Sequence, residues 1–223
     1  MSDYYQEELA AEKLKQCYDL APDRILQYLQ AEIDYALSRI ESSDTVLELG
    51  CGYGRLISPL AQKASTVIGI DISPGSLKYA KTYLAGLTNY TVALMDASEL
   101  GFVDNQFDCV FCLQNGISAF HLDPILLISE ALRVTRTGGR CIFTSYSPKI
   151  WKARLNWFEL QSRAGLLGEI DYDRTGDGNI VCHDGFTAST ASVEDFTRFA
   201  DQIAVEASIK EIDNSTIVCE MTA

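Results

Sequence analysis

The stretch Val46-Leu47-Glu48-Leu49-Gly50-Cys51-Gly52-Tyr53-Gly54-Arg55 constrains this chain more than any other. An apolar run passes through one acidic residue into three glycines on alternate positions. That pattern predicts a buried strand, a tight turn and a helix. Glycine is required where the backbone takes positive φ, or where a ligand lies too close for a Cβ. The expected helix N-terminus beyond the turn would offer unpaired N–H groups and a positive dipole end. The spacing is G-x-G-x-G, with Arg55 standing where the dinucleotide-binding fingerprint G-x-G-x-x-G has its third glycine. Glu48 would repel a pyrophosphate but suits a cation. The alternative to a ligand site is a plain glycine-bearing turn.

The chain of 223 residues is long enough for one domain with a full core and an elaboration. No uncharged apolar run approaches the roughly 18 residues of a membrane span. The polar, acidic start Met1-Ser2-Asp3-Tyr4-Tyr5-Gln6-Glu7-Glu8 does not read as a signal peptide, so the cytoplasm is the expected location. Net charge is −13, from 18 Lys+Arg against 31 Asp+Glu. A general nucleic-acid binder needs a basic surplus to neutralise phosphates, so neither nucleic acid nor membrane is an expected partner. The seven cysteines are scattered, and Cys109 and Cys112 fall within one strand, where residues three apart face opposite ways. Buried free thiols, not a metal site, are expected.

Ahead of the glycine loop, helices are expected from about Ser2 to Tyr18 and after Pro22, the second with Leu26, Leu29, Ile33, Leu37 and Ile40 as its apolar face. Tyr4, Tyr5 and Tyr18 are within reach of the loop from there, or else pack on the sheet edge. Strands follow at Thr45–Gly50, Thr66–Ile70, Tyr90–Met95, Phe107–Leu113 and Arg140–Ser145. Asp71 ends the second and Asp96 the third. Helices run to about Lys63, from Ser73-Pro74 to about Leu87, and from Asp123-Pro124 to Val134, with a turn at Thr137-Gly138-Gly139. This βα alternation predicts a doubly wound, mostly parallel α/β sheet, whose ligands bind beyond the carboxyl ends of the strands. The alternation breaks after Ser145. An aromatic-rich helix (Lys149–Ala164) and a hairpin (Gly168–Phe186, turning at Asp177-Gly178) form an expected insertion over residues 147–188. It serves either as a lid or as an oligomer-forming flap. A last helix from Ser192 and an antiparallel strand pair, Val205–Ile212 and Thr216–Met221, close the chain.

Taken in order, Glu48-Leu-Gly50-Cys-Gly52-Tyr-Gly54, Gly69-Ile-Asp71-Ile-Ser73, Met95-Asp96-Ala97, Phe107-Asp108-Cys-Val and Gly138-Gly139 resemble the class I S-adenosylmethionine-dependent methyltransferases. The resemblance covers about residues 40–146 and the final strand pair. It implies a single-domain, seven-stranded Rossmann-like methyltransferase fold with its last strand inserted antiparallel, and S-adenosylmethionine as cofactor. Residues 1–43 would be helices covering that cofactor. The resemblance further implies that Gly50, Cys51, Gly52 and Gly54 line the methionine and ribose portion, and that Glu48 lies near the ammonium. Asp71 would accept the ribose hydroxyls, and Ile72 would lie against the adenine. Asp96 and Ala97 would read the adenine edge, and Gln114 would border the sulfonium and the methyl acceptor; Tyr18 is expected at the cofactor from its place on the first helix. Each acidic residue has helix capping as its plain alternative.

Leu113-Gln114-Asn115-Gly116-Ile117-Ser118 departs from the Asn/Asp-Pro-Pro-aromatic box of base-modifying members. The expected reaction is therefore methyl transfer to an O, N or S atom of a small molecule. A general base is needed only where the acceptor must lose a proton; the candidates are His121, Tyr146 and His183. Trp151, Trp157, Phe158 and Phe186 form either an apolar acceptor pocket or plain core. The expected partners are a small-molecule methyl acceptor and, as an open point, a second copy in a homodimer. The competing readings are a nicotinamide-dependent oxidoreductase and a cofactor-binding protein without turnover.

Overall fold

The computed structural model describes residues 9–223; the expectations for Tyr4, Tyr5 and the first eight residues lie outside that range. Among the described residues two helices come first, α1 (Ala11–Asp19) and α2 (Asp23–Leu37). The sheet is then laid down as β1 (Thr45–Leu49), β2 (Thr66–Asp71), β3 (Tyr90–Leu94), β4 (Phe107–Cys112) and β5 (Thr135–Tyr146). Between these strands run α3 (Ile57–Ala61), α4 (Pro74–Tyr83), α5 (Gly116–Ala119) and α6 (Pro124–Val134). After β5 come α7 (Trp151–Arg163), the short pair β6 (Ile180–Val181) and β7 (Thr187–Ala188), α8 (Val193–Ile203), β8 (Ala207–Ile212) and β9 (Thr216–Thr222). The seven-stranded sheet has the order β3-β2-β1-β4-β5-β9-β8. β1 to β5 are parallel, and β9 enters antiparallel between β5 and β8.

The strands bury both faces. On one side Leu47, Leu49, Val110, Cys112 and Phe143 pack under α6 and α8. On the other, Val46, Val67, Cys109, Phe111 and Ile142 pack under α2, α3 and α4. Burying each such large apolar side chain is worth about 1.5–3 kcal/mol. Cys109 and Cys112 fall in these two separate clusters, as their spacing requires. A third cluster joins the N-terminal helices to the insertion: Cys17, Ile25 and Tyr28 meet Trp157, Phe158 and Phe186. That cluster sits over the carboxyl ends of the central strands and contains Tyr146, the last residue of β5.

Three local expectations change. The turn at Thr137-Gly138-Gly139 lies inside β5, because the glycines let the strand bulge rather than end. Gly138 has φ +75° and donates to the Ala223 carbonyl at 2.8 Å, and the β4–β5 register shifts beside it. The helix after the glycine loop is short and starts only at Ile57, since Gly50, Gly52 and Gly54 all take positive φ, which an α-helix cannot accommodate. The buried face of α2 is rotated from that expected. It runs Ile25, Tyr28, Leu29, Glu32, Ala36, while Leu26 is 50% exposed.

The insertion folds as a helix plus a turn-rich strand pair. Asp177 and Gly178 both take positive φ and close the expected tight turn, with Ile170 opposite Cys182. The regular ladder, however, joins Ile180–Val181 to Thr187–Ala188.

All seven cysteines are buried and free. Burial pushes the thiols of Cys17, Cys109, Cys141 and Cys219 up to about 12. The native protein should therefore leave a thiol reagent such as Ellman's nearly unreacted at pH 8, and all seven should titrate in guanidinium chloride. Fast reaction of two or more thiols in the native state would contradict the burial.

Candidate active site

The tips of β1, β2, β3 and β4 open onto one cavity of about 230 Å³, roofed by α1 and the insertion. Its floor is the glycine loop. Cys51 N–H donates to the Ile70 carbonyl at 2.8 Å, which pins the loop to β2, and Gly54 N–H closes back on the Cys51 carbonyl. A Cβ on Gly50 would lie 2.5 Å from the ring of Phe120, so a larger residue would have to displace that ring as well as hold a positive φ of +72°. Asp71 braces the loop from the next strand: one carboxylate oxygen accepts from Gly52 N–H and the other from Ser73 N–H, each at 2.8 Å. Asp71 thus braces a helix start and lines the cavity at the same time. Asp96 accepts from the Ser98 amide and hydroxyl and remains exposed at the cavity edge. Ile72 and Ala97 line the same end.

The middle of the cavity holds buried charge. Glu48 is 3% exposed, and one of its carboxylate oxygens has no hydrogen-bond partner. Burial pushes its carboxyl up to about 8, against the opposing pull of the Arg55 guanidinium. Arg55 carries a buried, unpartnered nitrogen of its own and lies 4.8 Å over the ring of Tyr18. Tyr18 donates to the Gln114 side-chain oxygen at 2.6 Å, leaving the Gln114 amide nitrogen without a partner. The Gln114 backbone N–H is held by Glu32 of α2 at 3.1 Å, and Thr144 donates to the same Glu32 oxygen. Burial raises the Glu32 carboxyl too, partly offset by these donors. Gln114 and Asn115 both take positive φ, so this two-residue corner is held in place from the N-terminal helices.

Tyr18, Glu48, Gly50, Cys51, Gly52, Asp71, Ile72, Asp96, Ala97, Gln114 and Tyr146 all line the cavity. Gly54 does not. Its place is structural, because a Cβ there would meet Leu84 at 2.6 Å. The two histidines stand apart from it. His121 takes φ +53° and its exposed side chain lines a separate surface depression with Pro124 and Asp195. His183 has a 61% exposed side chain, 3.8 Å from Asp171 on the outside of the insertion. Neither reaches the cavity as a proton acceptor. Tyr146 does line it, but burial raises its hydroxyl above the ordinary tyrosine value. Among the described residues no group of three metal-ligating side chains occurs.

Sequence reasoning passed over Glu32, Phe120, Arg154 and Gln161, and read Arg55 only as a departure from a glycine pattern. The Ile25-Tyr28-Glu32 spacing, a carboxylate on an apolar face, was the available signal for Glu32. Arg154 has its guanidinium 4.3 Å over the Tyr146 ring and donates to the carbonyls of Gly178 and Ala188, fixing the insertion onto β5.

The raised Glu48 carboxyl has a consequence for stability. Between about pH 4.5 and 8 the folded state binds more protons here than the unfolded chain, so this residue's contribution declines as pH rises through that window. Glu48→Gln should raise the ligand-free Tm at pH 8 and leave it nearly unchanged at pH 5. Calorimetry at the two pH values decides, and an equal shift at both would refute the assignment.

The sequence and fold described above are similar to those of known proteins. Residues 46–139 fit the methyltransferase domain family. The chain is 33% identical over 114 residues to the aklanonic acid methyltransferase of Streptomyces sp. strain C5, covering 49% of this chain and 51% of that one. It is 29% identical over 167 residues to the malonyl-[acyl-carrier protein] O-methyltransferase of Marinomonas sp., covering 71% and 59%. The chain thus spans about half the length of the curated relatives it matches. A solved SAM-dependent methyltransferase from Methanosarcina mazei shares the fold with TM-score 0.61 at 20% identity, over 84% of this chain and 96% of that one. The matched segment carries the glycine loop, Asp71 and Asp96. Residues 46–139 thus match the methyltransferase domain family, and the chain as a whole shares the fold of a solved SAM-dependent methyltransferase.

Proposed function

We propose that this chain transfers a methyl group from S-adenosylmethionine to an O, N or S atom of a small molecule. One observation carries the reading: Glu48, Asp71 and Asp96, from three neighbouring strand tips, converge on one cavity floored by glycine backbone. Carboxylates at that spacing suit a ligand with a cationic end and hydroxyl groups, and oppose a pyrophosphate. The nicotinamide reading is weaker for that reason. The names of two relatives, an aklanonic acid methyltransferase and a demethylmenaquinone methyltransferase, concern small-molecule acceptors and support the same class.

The cofactor supplies an electrophilic methyl group on a sulfonium. The residues fit it: Glu48 has an unpartnered carboxylate oxygen for the ammonium, and the unpartnered Arg55 nitrogen suits a carboxylate. Asp71 is positioned for the ribose, with Asp96, Ala97 and Ile72 at the adenine end. Since the donor is intrinsically reactive, the chain's work is alignment and exclusion of water. Tyr18 and Gln114 stand between the cofactor end and the aromatic end of the cavity. Residues 147–188 act as a lid, because Arg154, Trp157, Phe158 and Phe186 wall the cavity on the side away from the sheet.

Two measurements test this. Calorimetry should show micromolar binding of S-adenosylhomocysteine and none of NAD, with Asp71→Ala weakening binding by about tenfold or more, as for a lost charged hydrogen bond. Tight NAD binding alone would sink the proposal. Because Glu48 is mostly protonated at pH 7 when ligand-free, an ammonium placed beside it should expel close to one proton. Titrations in phosphate and in Tris would show a buffer-dependent enthalpy. In Glu48→Gln that dependence should vanish, and its persistence would assign the proton elsewhere.

A further inference from the structure

The roof of the cavity is aromatic. Tyr18 lies 5.7 Å from Trp157, Trp157 5.9 Å from Phe158, and Phe158 5.8 Å from Phe186, ring centroid to centroid. All four line the cavity. They are held from behind: Trp157 donates its indole N–H to the Cys17 carbonyl at 2.8 Å, so the ring is fixed in orientation. Such walls favour a flat π-system over a flexible chain, since offset and edge contacts need planar faces.

Two amides punctuate this wall. Gln161, one helical turn beyond Trp157 and Phe158 on α7, is 3% exposed and lines the cavity, with no side-chain hydrogen bond among the described residues. Gln114 presents the opposite case: its oxygen is engaged by Tyr18, so its amide group is left with N–H donors to offer. A donor at the boundary between cofactor and acceptor matches an oxygen nucleophile. An oxygen keeps a second lone pair to accept that N–H while the first attacks carbon; a neutral amine nitrogen has only one.

Resting on the methyltransferase reading, we propose that the acceptor is a planar aromatic hydroxy compound, methylated on its hydroxyl oxygen. Its ring lies against Trp157, Phe158 and Phe186, Gln114 donates to the hydroxyl oxygen, and Gln161 hydrogen-bonds a polar group on the ring. In the step an oxygen lone pair forms the new C–O bond. The C–S bond breaks with its electron pair going to sulfur, which becomes the neutral thioether, and the hydroxyl proton passes to water.

The test uses the full chain with S-adenosylmethionine and a fixed acceptor panel: 2-naphthol, 2-naphthylamine, octanoate and n-octylamine. Formation of S-adenosylhomocysteine is the readout. Turnover of 2-naphthol at least tenfold above the other three is expected. Equal or better turnover of octanoate or octylamine overturns the aromatic class, and preference for 2-naphthylamine overturns the oxygen. S-adenosylhomocysteine binding with no turnover of any member also overturns this inference while leaving the cofactor reading intact. Absent binding fails the cofactor reading instead. With 2,6-dihydroxynaphthalene, Gln161→Leu should raise KM about tenfold with kcat changed less than twofold and S-adenosylhomocysteine affinity preserved, while Gln161→Glu should recover part of the loss. An unchanged KM in Gln161→Leu would remove Gln161 as the specificity residue.

Discussion

The hydrogen bond between Asp71 and the Gly52 amide is the contact on which the rest of the site depends. The glycine loop is strained in the sense that no L-residue would hold its left-handed backbone readily, and a loop of that kind needs an external brace. Asp71 provides it from the neighbouring strand, with its second oxygen on Ser73, the cap of α4. One carboxylate therefore fixes the loop against β2 and starts the next helix. The parallel register of β1 and β2, Leu49 opposite Ile70, brings the two within reach.

Buried charge is the second organising feature. Glu32 and Glu48 are buried and Arg55 is partly so, and each has a buried polar atom with no partner. A buried unpartnered carboxylate is costly, and the shift of Glu48 toward its neutral form is how that cost is reduced. Such a cost is commonly tolerated where a ligand later supplies the missing partners. The same reasoning explains why Tyr18 and Glu32, both on the N-terminal helices, grip Gln114 from its side chain and its backbone. The segment ahead of the sheet is thereby tied to the place where cofactor and acceptor would meet.

The insertion and the N-terminal helices form one packed unit rather than two decorations. Trp157 bonds the Cys17 carbonyl, and Arg154 ties the insertion's strand pair to Tyr146. Each contributes aromatic surface to the cavity that the other completes. A change in either element should be felt at the far end of the cavity, since the two share a single cluster of buried side chains.

Much of this was legible in the sequence. Alternating apolar strands and capped helices specify a doubly wound sheet because burial on two faces leaves few other arrangements. The glycine spacing and the acidic strand ends identify the cradle, since positive φ and a cation-friendly wall need those residue types. The outward placement of the two histidines was not legible: His121 and His183 both have exposed side chains away from the cavity, while Tyr146, the third candidate, lines it. Glu32 was legible only as a carboxylate on an apolar helix face; its partners Thr144 and Gln114 come from the way α2 packs. Local pattern fixes which residues share a strand or a helix face; contacts more than 80 positions apart along the chain come from packing alone, and only the tertiary structure decided them.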